Sequence, residues 1–252
     1  MTNRPTLSYT IWFTQRCGSS WLCQALASTK LAGNPGELLS AAEPERLVQH
    51  YQARSVSDLV SILYRHGSSP NGVFGLKQGF CEPRFSQLMV LFQDAITGKP
   101  PTRLEIWESV FPKHKHIFLT RRNKVRLAVS WWRAIQSGEW HRRHGTPRSA
   151  VDLSDGYNFD AINHLFNESV LREAGIQDLF DEAGTAPLMV AYEDLRSDFD
   201  GTVRGILNFL DVDAEASAPF DTNLAPTADK LSEEWVRRFR REKQAGWRNI
   251  GW

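Results

Sequence analysis

Thr10-Ile-Trp-Phe-Thr-Gln-Arg-Cys-Gly-Ser-Ser-Trp-Leu22 is the stretch on which the fold turns. An apolar, β-favouring run, Tyr9 to Phe13, feeds a short loop with one arginine, one glycine and two serines, and apolar residues at helical spacing (Leu22, Ala25, Leu26) follow at once. The pattern reads as strand, anion loop, helix. Such a loop aims unpaired backbone N–H groups and the positive end of a helix dipole at one point, which suits a phosphate or a similar anion. Arg16 adds a fixed charge, Gly18 permits close backbone approach, and the Ser19 and Ser20 hydroxyls can donate to the ligand. The loop lacks the Gly-Lys-[Ser/Thr] ending of nucleotide triphosphatases, so the groups that hold a γ-phosphate and magnesium are missing. Glycine and serine also serve ordinary caps and tight turns, and the loop by itself leaves that alternative open.

The chain's 252 residues, 41% hydrophobic, can bury a core as one large α/β domain or two smaller ones, and a single domain over residues 1–252 is expected. Thirty Lys and Arg against 29 Asp and Glu leave a formal charge of +1, which argues against a general nucleic-acid binder. The charge is uneven, however. Eight basic residues (Arg121, Arg122, Lys124, Arg126, Arg133, Arg142, Arg143, Arg148) and one acid, Glu139, lie between Arg121 and Arg148, which marks a local anion site. Cys17, Cys23 and Cys81 lack zinc-type spacing and are too few to staple a fold of this size, so a reducing compartment and no metal are expected. Cys17 is either a small loop-lining residue or, if folding brings it a histidine, a nucleophile. No charged leader precedes a long apolar segment and no apolar run reaches spanning length, so a cytoplasmic protein without a membrane span is expected.

Beyond the first helix, Gly33-Asn-Pro-Gly36 breaks regular structure and holds Glu37 just past a turn. Residues 44–66 read as helical, with Leu59, Ile62 and Leu63 at core spacing, and a second strand follows at Val73-Phe-Gly-Leu-Lys77. Helices are predicted over 84–96 and 102–110, separated by Gly98-Lys-Pro-Pro101, and the third strand, Lys115 to Thr120, runs into Arg121-Arg122. Lys124 to Gln136 is helical, with Val125, Ala128, Val129, Trp132 and Ile135 spaced for burial, and a basic, turn-rich loop covers His141 to Arg148. A long helix over 158–181, a fourth strand over 187–192 and helices over 198–210 and 231–245 complete the pattern, with 212–229 irregular. Strands alternating with helices imply an α/β fold with a mostly parallel central sheet flanked by helices. Ligands then collect at the carboxyl ends of the strands, which brings together residues 15–20, Lys77, Arg121 and Arg122. An arginine at a strand end with Ser130 about two helical turns onward can hold a second phosphate, so the implied ligand carries anionic groups at both ends.

The pairing of Gln15-Arg-Cys-Gly-Ser-Ser-Trp-Leu22 with Arg121-Arg-Asn-Lys-Val-Arg-Leu-Ala-Val-Ser130 resembles the two signatures of sulfotransferases that use 3′-phosphoadenosine 5′-phosphosulfate (PAPS), whose fold is P-loop-like. More narrowly, the chain looks like the bacterial trehalose 2-sulfotransferase family. That resemblance takes in Leu31 to Glu37, Gly72 to Lys77, Ala128 to Gln136 with Trp140, and Ser232 to Arg241, in the family's order. It implies that Arg16, Cys17, Gly18, Ser19, Ser20 and Trp21 form the phosphosulfate loop, and that Ser130 with Arg121 or Arg122 binds the 3′-phosphate. It implies Glu37 as catalytic base, a sugar or glycoconjugate acceptor near Arg133 and Gln136, and a homodimer. Two departures stand out: Cys17 occupies a position where serine is common, and residues 225–231 match the family's nucleotide-contacting loop poorly.

Sulfuryl transfer needs an acceptor hydroxyl in line with the S–O bond that breaks, a group to take its proton, and positive charge on the departing phosphate oxygen. The donor carries less clustered charge than a triphosphate, so arginine, lysine and backbone N–H groups suffice without magnesium. A carboxylate is a weak base at neutral pH, and burial and nearby arginines pull its strength in opposite directions. Lys77 is either the cation for the bridging oxygen or a plain surface lysine. Arg133, Gln136 and Trp140, at i, i+3 and i+7, are expected on one helical face that would suit a sugar, with Trp132 in the core. Of the seven histidines, His141 and His144 are the rival bases. The competing functions are an atypical phosphate-loop kinase and a non-catalytic nucleotide or glycan binder.

Overall fold

The computed structural model describes residues 4–247 except 94, 97, 99–101, 214, 216–219, 221 and 226. The predicted turn at 99–101 and parts of the irregular stretch 212–229 lie outside the described residues. Two compact units divide the chain, Met1–Thr120 with Arg172–Thr222 and Arg121–Leu171 with Asn223–Trp252.

In the first unit, β1 (Leu7–Phe13) is buried nearly end to end because both of its faces are covered. It enters α1 (Ser19–Ser28) through the loop at 14–18. The stretch expected as one helix over 44–66 is broken. A short helix, α2 (Leu47–His50), is separated from α3 (Val56–Gly67) by a turn in which Gln52 has φ 52°, and Ser55 caps α3 by accepting from the Asp58 N–H. The unit continues through β2 (Val73–Gly79), α4 (Arg84–Gln93), α5 (Arg103–Val110) and β3 (His114–Thr120). The four strands pair in parallel with one another, in the order β2-β1-β3-β4, where β4 is Leu188–Ala191.

Strand alternation sends Trp12, Phe74, Leu76 and Phe118 into one apolar cluster, and Tyr9, Ile11, Ile117 and Leu119 into the other, on the opposite face. The order of the strands reverses between β1 and β3, and such a switch point opens a crevice at their carboxyl ends.

The second unit is helical. It holds α6 (Lys124–Ser137), the first part of α7 (Phe159–Ala183) and, after α8 (Tyr192–Ser197) and α9 (Phe199–Phe209) of the first unit, the closing helix α10 (Lys230–Lys243). Leu127, Ala128, Val129 and Trp131 of α6 pack with Trp235, Val236 and Phe239 of α10. The phase of α6 differs from expectation. Trp131 takes the core position, whereas Trp132 is only half-buried, its Nε1 donating to the Gly156 carbonyl at 2.8 Å, and Ile135 is 46% exposed. The basic loop is also less irregular than expected. Arg142 and His144 exchange backbone hydrogen bonds with Asn223 and Ala225, a short ladder around Arg143 and Leu224. No described helix is long and apolar enough to cross a membrane.

Beneath the sheet of the first unit lies a polar network. His114 bonds Ser8 through Nδ1 and Thr10 through Nε2, both at 2.8 Å, while His116 accepts from Trp12 Nε1 at 3.0 Å and meets Glu108 at 2.9 Å. Desolvation, and secondarily His116, push His114 well below the usual histidine range. The folded chain therefore holds this ring neutral where the unfolded chain would take a proton, so its contribution is complete above about pH 6.5 and drains away as pH falls below it. His114→Gln should flatten the acid limb of a melting-temperature profile between about pH 7.5 and 5; a limb as steep as in the wild type would remove His114 as its source.

Candidate active site

The loop after β1 is shaped by two left-handed residues, Arg16 at φ 67° and Gly18 at φ 87°. Gly18 is the N-cap of α1, which starts just beyond the carboxyl end of β1. A side chain at Gly18 would meet Tyr192, since a Cβ there would lie 2.8 Å from Tyr192 Cδ2. Trp21 stacks on Phe199, ring centroids 4.5 Å apart at 13°. Cys17 is fully buried with its side chain in the apolar cluster below, and burial pushes its thiol up to about 11. A buried thiol shifted away from its thiolate is a poor nucleophile, and the backbone of Cys17 is what it can offer a ligand.

Lys77 is not a surface residue. Alternation along β2 turns it to the same face as Ser19 and Ser20, and its side chain is 7% exposed. Its ammonium lies 2.6 Å from Glu37 Oε1, 3.1 Å from Ser20 Oγ, 3.5 Å from Ser19 Oγ and 4.7 Å from the Phe13 ring centroid. Backbone pairing supplies the meeting: the Lys77 N–H donates to the Gly36 carbonyl at 3.0 Å, which carries Glu37 alongside β2. Gly33, at φ 71°, fits because a Cβ there would sit 2.7 Å from the Gly75 nitrogen and 2.8 Å from the Gly67 carbonyl. A carboxylate, an ammonium and two hydroxyls thus converge at the start of α1.

In the second unit, Asn123 caps α6 by accepting from the Arg126 N–H at 3.0 Å, and Lys124 Nζ donates to the Arg121 carbonyl at 2.6 Å. Arg122 is exposed, whereas Arg121 and Ser130 are half-buried. Arg133 is bidentate to Asp229, at 2.6 and 2.8 Å, and also bonds Ser232. Burial works against the Asp229 carboxylate, but the Arg133 hydrogen bonds win and hold it well below the usual carboxylate range. The expected face of Arg133, Gln136 and Trp140 does not form. Gly138, at φ 68°, ends α6 after Ser137, so Trp140 lies beyond the helix; Gln136 and Trp140 are both exposed. Among the described residues no group of three or more His, Cys, Asp and Glu is placed to hold a metal ion.

A family model described as Stf0 sulphotransferase matches residues 8–242. The chain belongs to the Stf0 sulphotransferase family. A "Trehalose 2-sulfotransferase" of Mycobacterium tuberculosis is 27% identical over 270 residues, covering 95% of this chain and 97% of the relative. A protein of the same name from Mycolicibacterium smegmatis is 28% identical over 272 residues, covering 97% and 98%. The crystal structure of a sulfotransferase from Alicyclobacillus acidocaldarius superposes with TM-score 0.51 at 16% identity, covering 94% of this chain and 92% of that one, which establishes the P-loop-like fold.

The sequence does not single out the two aromatic groups that frame the loop of this Stf0 sulphotransferase. Tyr192, at the end of β4, is reachable by the strand-end rule, whereas Phe199 carries no signal of its own. His114 and His116 serve the network under the sheet instead of the site. Burial of Cys17 and Cys23, whose thiols stand at about 11 and 12, predicts that only Cys81 reacts promptly with a disulfide reagent at pH 8 in the native protein, and all three in denaturant. A second fast thiol would mean that the loop opens readily.

Proposed function

We propose that this sulfotransferase moves the sulfuryl group of PAPS to a hydroxyl of a trehalose-like sugar or glycoconjugate, with Glu37 as general base and Lys77 as the cation for the departing phosphate oxygen. The observation that carries the reading is the buried Lys77 ammonium between Glu37 and the serines at the head of α1. It fits a phosphosulfate: the loop from Arg16 to Trp21 offers a guanidinium, N–H groups and hydroxyls to the oxygens, with Lys77 beneath them. Arg122 or Arg121, with Ser130, takes the 3′-phosphate; Arg122 has the greater exposure for it. Support for a sugar acceptor comes from the names of the two curated relatives. Gln136 and Trp140 offer it an amide and an indole, and Arg133 serves that side by fixing the start of α10.

In the transfer, Glu37 accepts the acceptor's hydroxyl proton as that oxygen bonds to sulfur, and the bridging S–O bond breaks with its electron pair passing to the phosphate oxygen. Lys77 stabilises the charge that appears there, so the same ammonium serves base and leaving group. A cytoplasmic homodimer completes the proposal, checked by cell fractionation and sedimentation.

Incubation with labelled donor and a panel of sugars including trehalose tests the activity, and absence of binding to both donor and adenosine 3′,5′-bisphosphate would sink it. Glu37→Gln should lower turnover by roughly 10²–10⁴ while donor binding stays close to that of the wild type; unchanged turnover removes Glu37 as the base. Replacing Arg121 and Arg122 together should weaken adenosine 3′,5′-bisphosphate far more than adenosine 5′-phosphate, and equal losses would move the 3′-phosphate site elsewhere.

A further inference from the structure

The crevice between β1 and β3 has a carboxylate across its floor. The last paired residues of these strands are Phe13 and Leu119, and Thr14 and Thr120 come next on either side. Thr14 is fully buried, and its hydroxyl donates to Glu173 Oε1 at 3.3 Å. The Thr120 hydroxyl lies 2.9 Å from both Glu173 oxygens. One residue earlier on α7, Arg172 Nη1 donates to Gln15 Oε1 at 3.1 Å. Two consecutive helical residues therefore grip the chain where β1 leaves the sheet, and one of them grips β3 as well.

The Glu173 charge reaches the anion loop: after burial, it is among the influences that raise the Cys17 thiol, against Lys77, which lowers it. A carboxylate beneath an anion site does not favour binding by its own charge; what it offers the loop is the geometry of its hydrogen bonds with Thr14 and Thr120. The geometry needs such help, because Arg16 holds a left-handed conformation that costs a non-glycine residue about 1 kcal/mol or more and persists only where the surroundings enforce it.

We propose that Glu173 is a positioning residue for the donor: by accepting from Thr14 and Thr120 it fixes the spacing of the β1 and β3 ends and so the anion loop that follows β1. This inference rests on the donor reading of that loop. Because the hydroxyls need an acceptor and not a charge, a glutamine at 173 keeps the clamp through its carbonyl oxygen, whereas alanine removes it.

Calorimetric binding of adenosine 3′,5′-bisphosphate to the full chain tests the clamp. Glu173→Ala should weaken it roughly ten-fold, the scale of one or two lost hydrogen bonds, and Glu173→Gln should stay within about three-fold of the wild type. The isosteric Thr14→Val and Thr120→Val variants, which keep the packing volume, should each weaken binding, and Thr120→Val combined with Glu173→Ala should lose little more than the worse single change. In turnover assays the donor KM should rise while the acceptor KM holds. Binding as tight as or tighter than wild type in Glu173→Ala, or equal rises in both KM values, overturns the clamp alone. A wild type that binds no bisphosphate overturns the donor reading and the clamp with it.

Discussion

An ammonium group lifted out of water is costly unless its charge and its three donors are met, and the first unit is arranged around meeting those of Lys77. Its partners come from three separate places. Glu37 arrives on the segment that pairs with β2, the serines arrive at the start of α1, and Phe13 closes the side toward β1. Each arrival depends on a backbone requirement elsewhere: the left-handed Gly33 wedged against Gly75, the left-handed Arg16 and Gly18, and the parallel register that sets Lys77 beside Ile11. Glu37 is far more exposed than Lys77, so the pair has one dry end and one wet end.

The same economy appears in the second unit, where Arg133, Arg126 and Arg148 converge on the first turn of α10. Asp229 both caps that helix and ties Arg133, so a residue attractive as a sugar ligand is committed to holding two helices together. Arginine is suited to both tasks, and its planar fork does not reveal which one it has taken until its partner is known.

Much of the fold was legible because the strands are short apolar runs bounded by turn residues, and because the anion loop announces itself by composition. Adjacent tryptophans defeated the reading of α6. A periodic pattern with Trp at both 131 and 132 allows two phases, and the phase was decided by packing against Trp235 and Phe239. The break at Gln52 left no trace either, since no glycine marks that left-handed turn. Lys77 and Glu37, forty residues apart in the chain, were each suspected, but their contact depends on one backbone bond, Lys77 to Gly36, that no local pattern encodes. Glu173 was invisible for the opposite reason: one acid among many on a long helix gains meaning only from the strand ends it touches.

The first unit is written in two pieces, with the second unit's residues 121–171 between them. On a ribosome, β1, β2 and β3 emerge long before β4, so the outer edge of β3 waits unpaired while some 65 residues are made. A bare parallel edge is an invitation to mispair with other chains. The edge that waits is Ile117 to Thr120, the part of β3 that β4 later pairs, and the 25-residue α7, a helix of local contacts, is made before β4. The order of synthesis thus asks the basic helical insert to be made while the sheet that it interrupts is still incomplete.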